Sequence, residues 1–151
     1  MKNLIYILIS LASISLMNCG KDDEGTVDND TLVKQELAGQ WTPTYVSLDG
    51  NDITADFTGF TITIDPSLSY SANSSELDRQ PNPWPSSGIF TLMTPVENTA
   101  LAELTRNDGL VVEVNISGDI IELSFSFDDS HAGSNGRTVA TTGEWVFRMA
   151  Q

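Results

Sequence analysis

From Trp41 to the end of the chain, apolar residues alternate with polar ones, and turn residues interrupt the alternation at short intervals. Phe60, Ile62 and Ile64, for example, alternate with two threonines. A period of two places successive side chains on opposite faces of a strand, so the pattern predicts half-buried β-strands. Short strands at this spacing are typical of a single all-β, antiparallel domain.

The pattern predicts about eight strands in meander order and almost no helix. They comprise residues 41–48, 60–64, 68–72, 90–92, 100–106, 110–116, 121–127 and 144–149. Residues 100–104 also fit a helix, and Pro43 indicates an edge or a bulge in the first strand. The order is typical of an antiparallel sandwich or a closed up-and-down barrel, and closure would remove exposed strand edges.

The apolar side chains on one face of these strands are large, and their size determines whether a barrel would contain a cavity. Eight-stranded barrels are either filled by their own side chains or hold one small ligand. The size of the inward residues favours a packed interior. The predicted inward set is Phe60, Ile62, Ile64, Phe90, Leu92, Leu110, Val112, Val114, Leu123, Phe125, Trp145 and Phe147.

The last strand divides its residues between two faces. Trp145, Phe147 and Met149 share one parity, and Glu144, Val146 and Arg148 share the other. Alternation therefore predicts an apolar, inward face and a polar, outward face.

The N-terminus predicts export. Lys2 precedes an apolar run over residues 4–16, which is short for a transmembrane helix and ends at Cys19, the only cysteine. We interpret residues 1–18 as a lipoprotein signal peptide and Cys19 as the lipidated residue. An ordinary signal peptide or an uncut anchor with an incidental cysteine is the alternative.

Residues 19–30 are acidic and without periodicity, which predicts a flexible tether. The domain of residues 31–151 then begins with a short helix over residues 31–38. Asp30 or Thr31 is the expected N-terminal cap, and Gly39 is expected to end the helix.

The formal net charge is −14. Such a surface repels nucleic acid and anionic lipid, so neither is expected as a partner. Attachment to a membrane would then depend on the lipid on Cys19.

The sequence predicts no catalytic residue, no metal site and no cofactor. Its one histidine, His131, lies in a predicted loop, and the chain cannot supply several His or Cys ligands for zinc. The acidic turns follow no EF-hand spacing. Those turns contain Asp49, Asn51 and Asp52, and Asp128, Asp129 and Asn135.

A proline-rich stretch, Asn82-Pro83-Trp84-Pro85, is the best candidate for contact with a ligand. Prolines stiffen a loop, and Trp84 could stack on a sugar or a peptide beside Asn82. Alternatively, Trp84 folds back and plugs the mouth of the barrel.

The start of the first strand, Gly39-Gln40-Trp41, resembles the Gly-x-Trp signature of lipocalins. The wider layout is similar to small lipocalin-like domains of Bacteroidota lipoproteins, through Phe57-Thr58-Gly59-Phe60, Pro83-Trp84-Pro85-Ser86-Ser87-Gly88, Arg106-Asn107-Asp108-Gly109 and Gly143-x-Trp145. The resemblance implies an eight-stranded barrel closed at one end by Trp41, with Arg148 packed over the indole.

The segment that begins at the cysteine, Cys19-Gly20-Lys21-Asp22-Asp23-Glu24, resembles the export tag of Bacteroidota surface lipoproteins. This resemblance implies the outer membrane, with the domain facing the cell exterior. Asp30-Thr31-Leu32 resembles a short O-glycosylation motif of the same group, which would make Thr31 the acceptor.

Two functional hypotheses follow. In the first, the barrel is an interaction or accessory module for an outer-membrane protein partner, which predicts an apolar patch on the outer wall and no cavity. In the second, it binds a small apolar ligand or glycan at the barrel mouth, which predicts a cavity lined by the inward set. An enzyme is not expected.

Overall fold

The computed structural model describes residues 27–77, 83–128 and 142–151. These residues form one helix of the α type, two short 3-10 helices and nine strands. The bounds are α1 Asn29–Leu37, β1 Gly39–Leu48, β2 Asn51–Asp52, β3 Ile62–Ile64, β4 Ser69–Ala72, β5 Ser87–Leu92, β6 Leu101–Arg106, β7 Val111–Ser117, β8 Ile120–Phe127 and β9 Gly143–Ala150.

The strands close into an antiparallel eight-stranded barrel. Each strand from β3 to β9 pairs with the next, β1 pairs with β3, and β1 also pairs with β9. The two-residue strand β2 is an extra element on the end of β1. The lipocalin-like barrel predicted from the sequence is therefore confirmed, and the sandwich alternative is excluded.

The predicted strands are confirmed with small shifts at their ends. Residues 101–106 form a strand, β6, rather than the alternative helix. Pro43 marks a bulge rather than an edge, because the pairing of β1 with β9 shifts register between Pro43 and Tyr45. The predicted inward residues are all buried, which confirms the parity assigned to each strand.

The helix begins earlier than expected. Asp28 caps it by accepting a hydrogen bond from the Thr31 backbone N–H at 2.7 Å, so neither Asp30 nor Thr31 is the cap. Asp30 instead accepts from the Val96 N–H at 2.8 Å, across the fold. Asp28 and Asp30, which the sequence assigned to the tether, therefore form hydrogen bonds within the folded domain.

We name the two ends of the barrel by what covers them. The helix end lies under α1, where β1 begins and β9 ends. The loop end carries the opposite connections, including the 3-10 helix Thr54–Phe57 and the segment that contains Trp84. Within the described residues, no helix is long and apolar enough to span a membrane.

Candidate functional site

Trp41, which the resemblance makes the closing residue, lies at the helix end near the start of β1. Its indole is fully buried and donates a hydrogen bond of 2.9 Å to the Leu37 carbonyl, which ties α1 to the barrel. Gly39 begins β1 with a positive φ of 154°, and a Cβ there would lie 2.5 Å from the Gln151 side chain. Gly39 and Trp41 therefore have structural roles at this end.

Arg148 does not pack over Trp41, and that expectation is wrong. Its side chain is 53% exposed on the outer wall and pairs with Glu122 at 2.8 Å. Its guanidinium lies over the ring of Tyr45, its register partner on β1, at 5.8 Å from the centroid. The reason is parity, because Phe147 and Met149 point inward and the residue between them must point outward.

A different arginine, Arg106 at the end of β6, packs against a tryptophan, and it does so at the loop end of the barrel. It is 1% exposed and lies 5.7 Å from the ring centroid of Trp84. Its Nε and Nη2 donate to both carboxylate oxygens of Asp108, at 2.9 and 2.6 Å. Its Nη1 donates to the Pro83 carbonyl at 2.8 Å, so one guanidinium holds the Trp84 segment against the loop end.

Trp84 is buried, not presented to a ligand. It is 1% exposed and packs edge-on against Phe125 and Phe147, with centroids 5.5 and 5.6 Å away. Trp84 therefore folds back into the barrel, as in the alternative interpretation, and in this position its ring is not exposed for stacking on a ligand. Asn82, the lipidation residue Cys19 and His131 lie outside the described residues.

Aromatic rings fill the barrel behind Trp84. Phe57 contacts Phe147 edge-on at 5.0 Å, and Phe125 stacks on Phe147 at 6.0 Å. The grooves found among the described residues are open to solvent and not enclosed. A filled interior agrees with the size of the inward side chains.

Two titratable groups near Arg106 have shifted pKa values. Burial raises the pKa of Asp108, but the hydrogen bonds and charge of Arg106 outweigh it, so the pKa lies below its usual value. Burial raises the pKa of Tyr70 to about 12, and the charge of Arg106 offsets only part of that rise.

The outer wall of the barrel carries exposed apolar side chains on neighbouring strands. We call Ile89, Met93, Leu101 and Val111 the outer-wall patch; each is about half exposed. Thr91, Thr105 and Val111 are register partners across β5, β6 and β7, so the four residues share the outward face of these strands. Ile89 and Val111 lie nearer the loop end, and Met93 and Leu101 lie nearer the helix end. This outward face is on the opposite side of the barrel from β1.

Two residues of the patch, Met93 and Leu101, also line a groove of about 480 Å³, which we call the acidic groove. Met93 and Leu101 supply apolar surface, and Glu97, Glu103 and Glu113 supply carboxylates. The remaining lining residues are Pro95, Val96, Ala102, Val114, Asn115, Glu122 and Ser124. Glu103 and Glu113 are direct register partners, so two like charges face each other across β6 and β7.

Two further predictions from the sequence concern glycosylation and metal binding. Thr31 lies half-buried in the first turn of α1. Among the described residues, no group of three or more His, Cys, Asp or Glu side chains is arranged to hold a metal ion.

Sequence reasoning missed Arg106 and the acidic groove. For Arg106 a signal existed, because it shares the parity of Leu104 on β6 and so points inward. The groove depends on how neighbouring strands pair, which no single stretch of sequence encodes.

Comparison of the chain with protein-family models, with curated proteins and with solved structures gives no match.

Proposed function

We propose that the chain is a lipid-anchored outer-membrane lipoprotein, exposed on the cell surface, whose barrel serves as an interaction module for another membrane protein. The observation that carries this proposal is that the barrel interior is filled while apolar side chains remain exposed on the outer wall. Aromatic rings fill the interior, while Ile89, Met93, Leu101 and Val111 stay exposed on one wall. Several exposed apolar residues on one face are typical of protein-binding surfaces.

The rival function, a binder of a small apolar ligand or glycan, requires space inside the barrel mouth. Trp84, which would stack on such a ligand, is packed against Phe125 and held by the Arg106–Pro83 hydrogen bond. The filled interior therefore favours the interaction module over the binder of a small ligand.

Photo-crosslinking in cells of the native host tests the interaction. A photoreactive residue replaces Leu101 in the outer-wall patch, and a control replaces Thr42, which is exposed on β1 across the barrel. We expect a discrete protein adduct from the Leu101 position and none from Thr42. Equal labelling from both positions, or none from Leu101, would overturn the proposal.

Two further measurements test the anchor and the rival function. A Cys19→Ser variant is expected to leave the membrane fraction, and its retention would point to an uncut apolar anchor.

Native mass spectrometry of the purified protein is expected to give the polypeptide with its lipid. A co-purifying small molecule would favour the ligand binder.

A further inference from the structure

We propose that the acidic groove binds a basic segment of the partner, in which Lys or Arg side chains flank an apolar one; this inference rests on the proposed function. Met93 and Leu101 are 56% and 57% exposed and offer the apolar contact. Glu97, Glu103 and Glu113 surround them with carboxylates. Recognition through such a surface combines burial of an apolar anchor with charge complementarity.

Within the described residues, Glu103 and Glu113 have no cation of their own. The basic residues in the described ranges are Lys34, Arg106 and Arg148. Arg106 is paired with Asp108, and Arg148 with Glu122 at the edge of the groove. Within the described part of the chain, no salt bridge therefore reaches Glu103 or Glu113.

The Glu103–Glu113 pair is also unfavourable for the fold. Like charges directly opposite each other on neighbouring strands destabilise a sheet. Sites where a chain departs from locally favourable pairing are often functional. An incoming cation placed between the two carboxylates would convert this repulsion into attraction.

The same charges exclude two other occupants. A second copy of the chain would present an acidic surface, since the net charge is −14. The chain's own tether carries Asp22, Asp23 and Glu24 against a single lysine, so it would be repelled as well.

The mode of binding is limited by barrel closure. β6, β7 and β8 are each paired on both sides, so a partner strand cannot add to the sheet at the groove. Contact must come from side chains instead. The groove also lies beside the start of the folded domain, because Asn29 donates a hydrogen bond to the carbonyl of Val96, a groove residue, at 2.9 Å.

The full chain, purified from membranes in detergent, is titrated with labelled synthetic peptides of alternating Lys and Leu, and binding is followed by fluorescence anisotropy. The Glu103→Gln/Glu113→Gln variant is compared with Glu36→Gln/Glu76→Gln, which makes the same change in charge at exposed positions outside the groove. We expect the first pair to weaken binding about tenfold and the second to have little effect. Binding of the unmodified chain should also weaken as salt is added.

Equal affinities of the two double variants, or equally tight binding of a Glu-Leu peptide, would overturn the inference. Mapping the partner segment that is crosslinked to the Leu101 position distinguishes failure of this inference from failure of the proposed function. An adduct on a partner segment that contains Lys or Arg supports both. An adduct on a segment without basic residues overturns the inference and leaves the interaction module standing, whereas absence of a Leu101 adduct overturns the proposed function itself.

Discussion

The guanidinium of Arg106 lies 5.7 Å from the ring centroid of Trp84 and donates to the carbonyl of Pro83, the residue before it. One side chain therefore fixes both the ring that fills the loop end and the backbone that carries it. Asp108, two residues along the same hairpin, compensates the buried charge. This small network links closure of the barrel to a single ion pair.

Arg106→Met should destabilise the domain far more than Arg148→Met. The first variant leaves Asp108 without its cation and the Pro83 carbonyl without its donor, at a cost of roughly 2–4 kcal/mol in free energy of unfolding. The second removes an exposed pair with Glu122, which contributes about 0–1 kcal/mol. Urea denaturation followed by tryptophan fluorescence measures both. Equal losses would show that Arg106 does not hold the loop end.

The coupling between Arg106 and Asp108 should depend on pH. The folded-state pKa of Asp108 is lowered, so its contribution to stability is present above the unfolded pKa of about 4 and is lost as pH falls through the folded value. A double-mutant cycle with Arg106→Met and Asp108→Asn should therefore give a large coupling energy at neutral pH. The same cycle should give a smaller coupling energy below about pH 4. A pH-independent coupling energy would argue against an ionic pair.

Trp84→Ala should act on stability rather than on a ligand site. The indole is packed against Phe125 and Phe147, and removal of a buried aromatic side chain costs about 3–5 kcal/mol. Ile89→Ala is the control on the outer wall and should stay within about 0.5 kcal/mol of the unmodified chain. Thermal unfolding distinguishes these outcomes. A Trp84→Ala protein of unchanged stability would mean that Trp84 does not fill the interior.

The strands were predictable because alternation is a local property. For Arg148, two predictions from the sequence disagreed, and the one based on local alternation was correct. Its parity on β9 already indicated an outward side chain, whereas the resemblance to lipocalins placed it over Trp41. The structure follows the parity, since Phe147 and Met149 on either side are fully buried.

The start of the domain and the candidate site were less accessible from sequence. Asp28 and Asp30 look like part of an acidic linker, and only their hydrogen bonds to Thr31 and Val96 make them part of the fold. The acidic groove likewise exists because register brings Glu103 opposite Glu113. Val96 lies 66 residues from Asp30, and Glu113 lies on a different strand from Glu103, so neither of these pairings leaves a periodic signal in the sequence.

Tyr70→Phe should stabilise the domain slightly at neutral pH. Within the described residues, the buried Tyr70 hydroxyl makes no hydrogen bond of good geometry, and the Arg106 guanidinium that approaches it already donates to Asp108 and Pro83, so removal of the hydroxyl should contribute up to about 1 kcal/mol. The pKa of Tyr70 is raised to about 12, and that of the unfolded chain is about 10. Stability should therefore fall as pH rises from about 10 to 12, and less steeply in the variant. Denaturation across this range, with Tyr45→Phe as the control, measures the difference; identical slopes would contradict the burial of the hydroxyl.

Glu103→Lys should stabilise the isolated protein and weaken binding in the acidic groove. The substitution places a cation directly opposite Glu113 and replaces repulsion by attraction, which should raise the free energy of unfolding by about 0.5–1 kcal/mol. The new cation also occupies the position proposed for the partner's basic side chain, so affinity for the Lys-Leu peptide should fall. Glu36→Lys on α1 makes the same change in net charge and should alter neither quantity comparably. Gain of stability with loss of affinity, measured on one preparation by thermal unfolding and anisotropy, would indicate that the like-charge pair is retained for binding. A loss of stability would contradict the assigned register, and unchanged affinity would contradict the role of Glu103 in the groove.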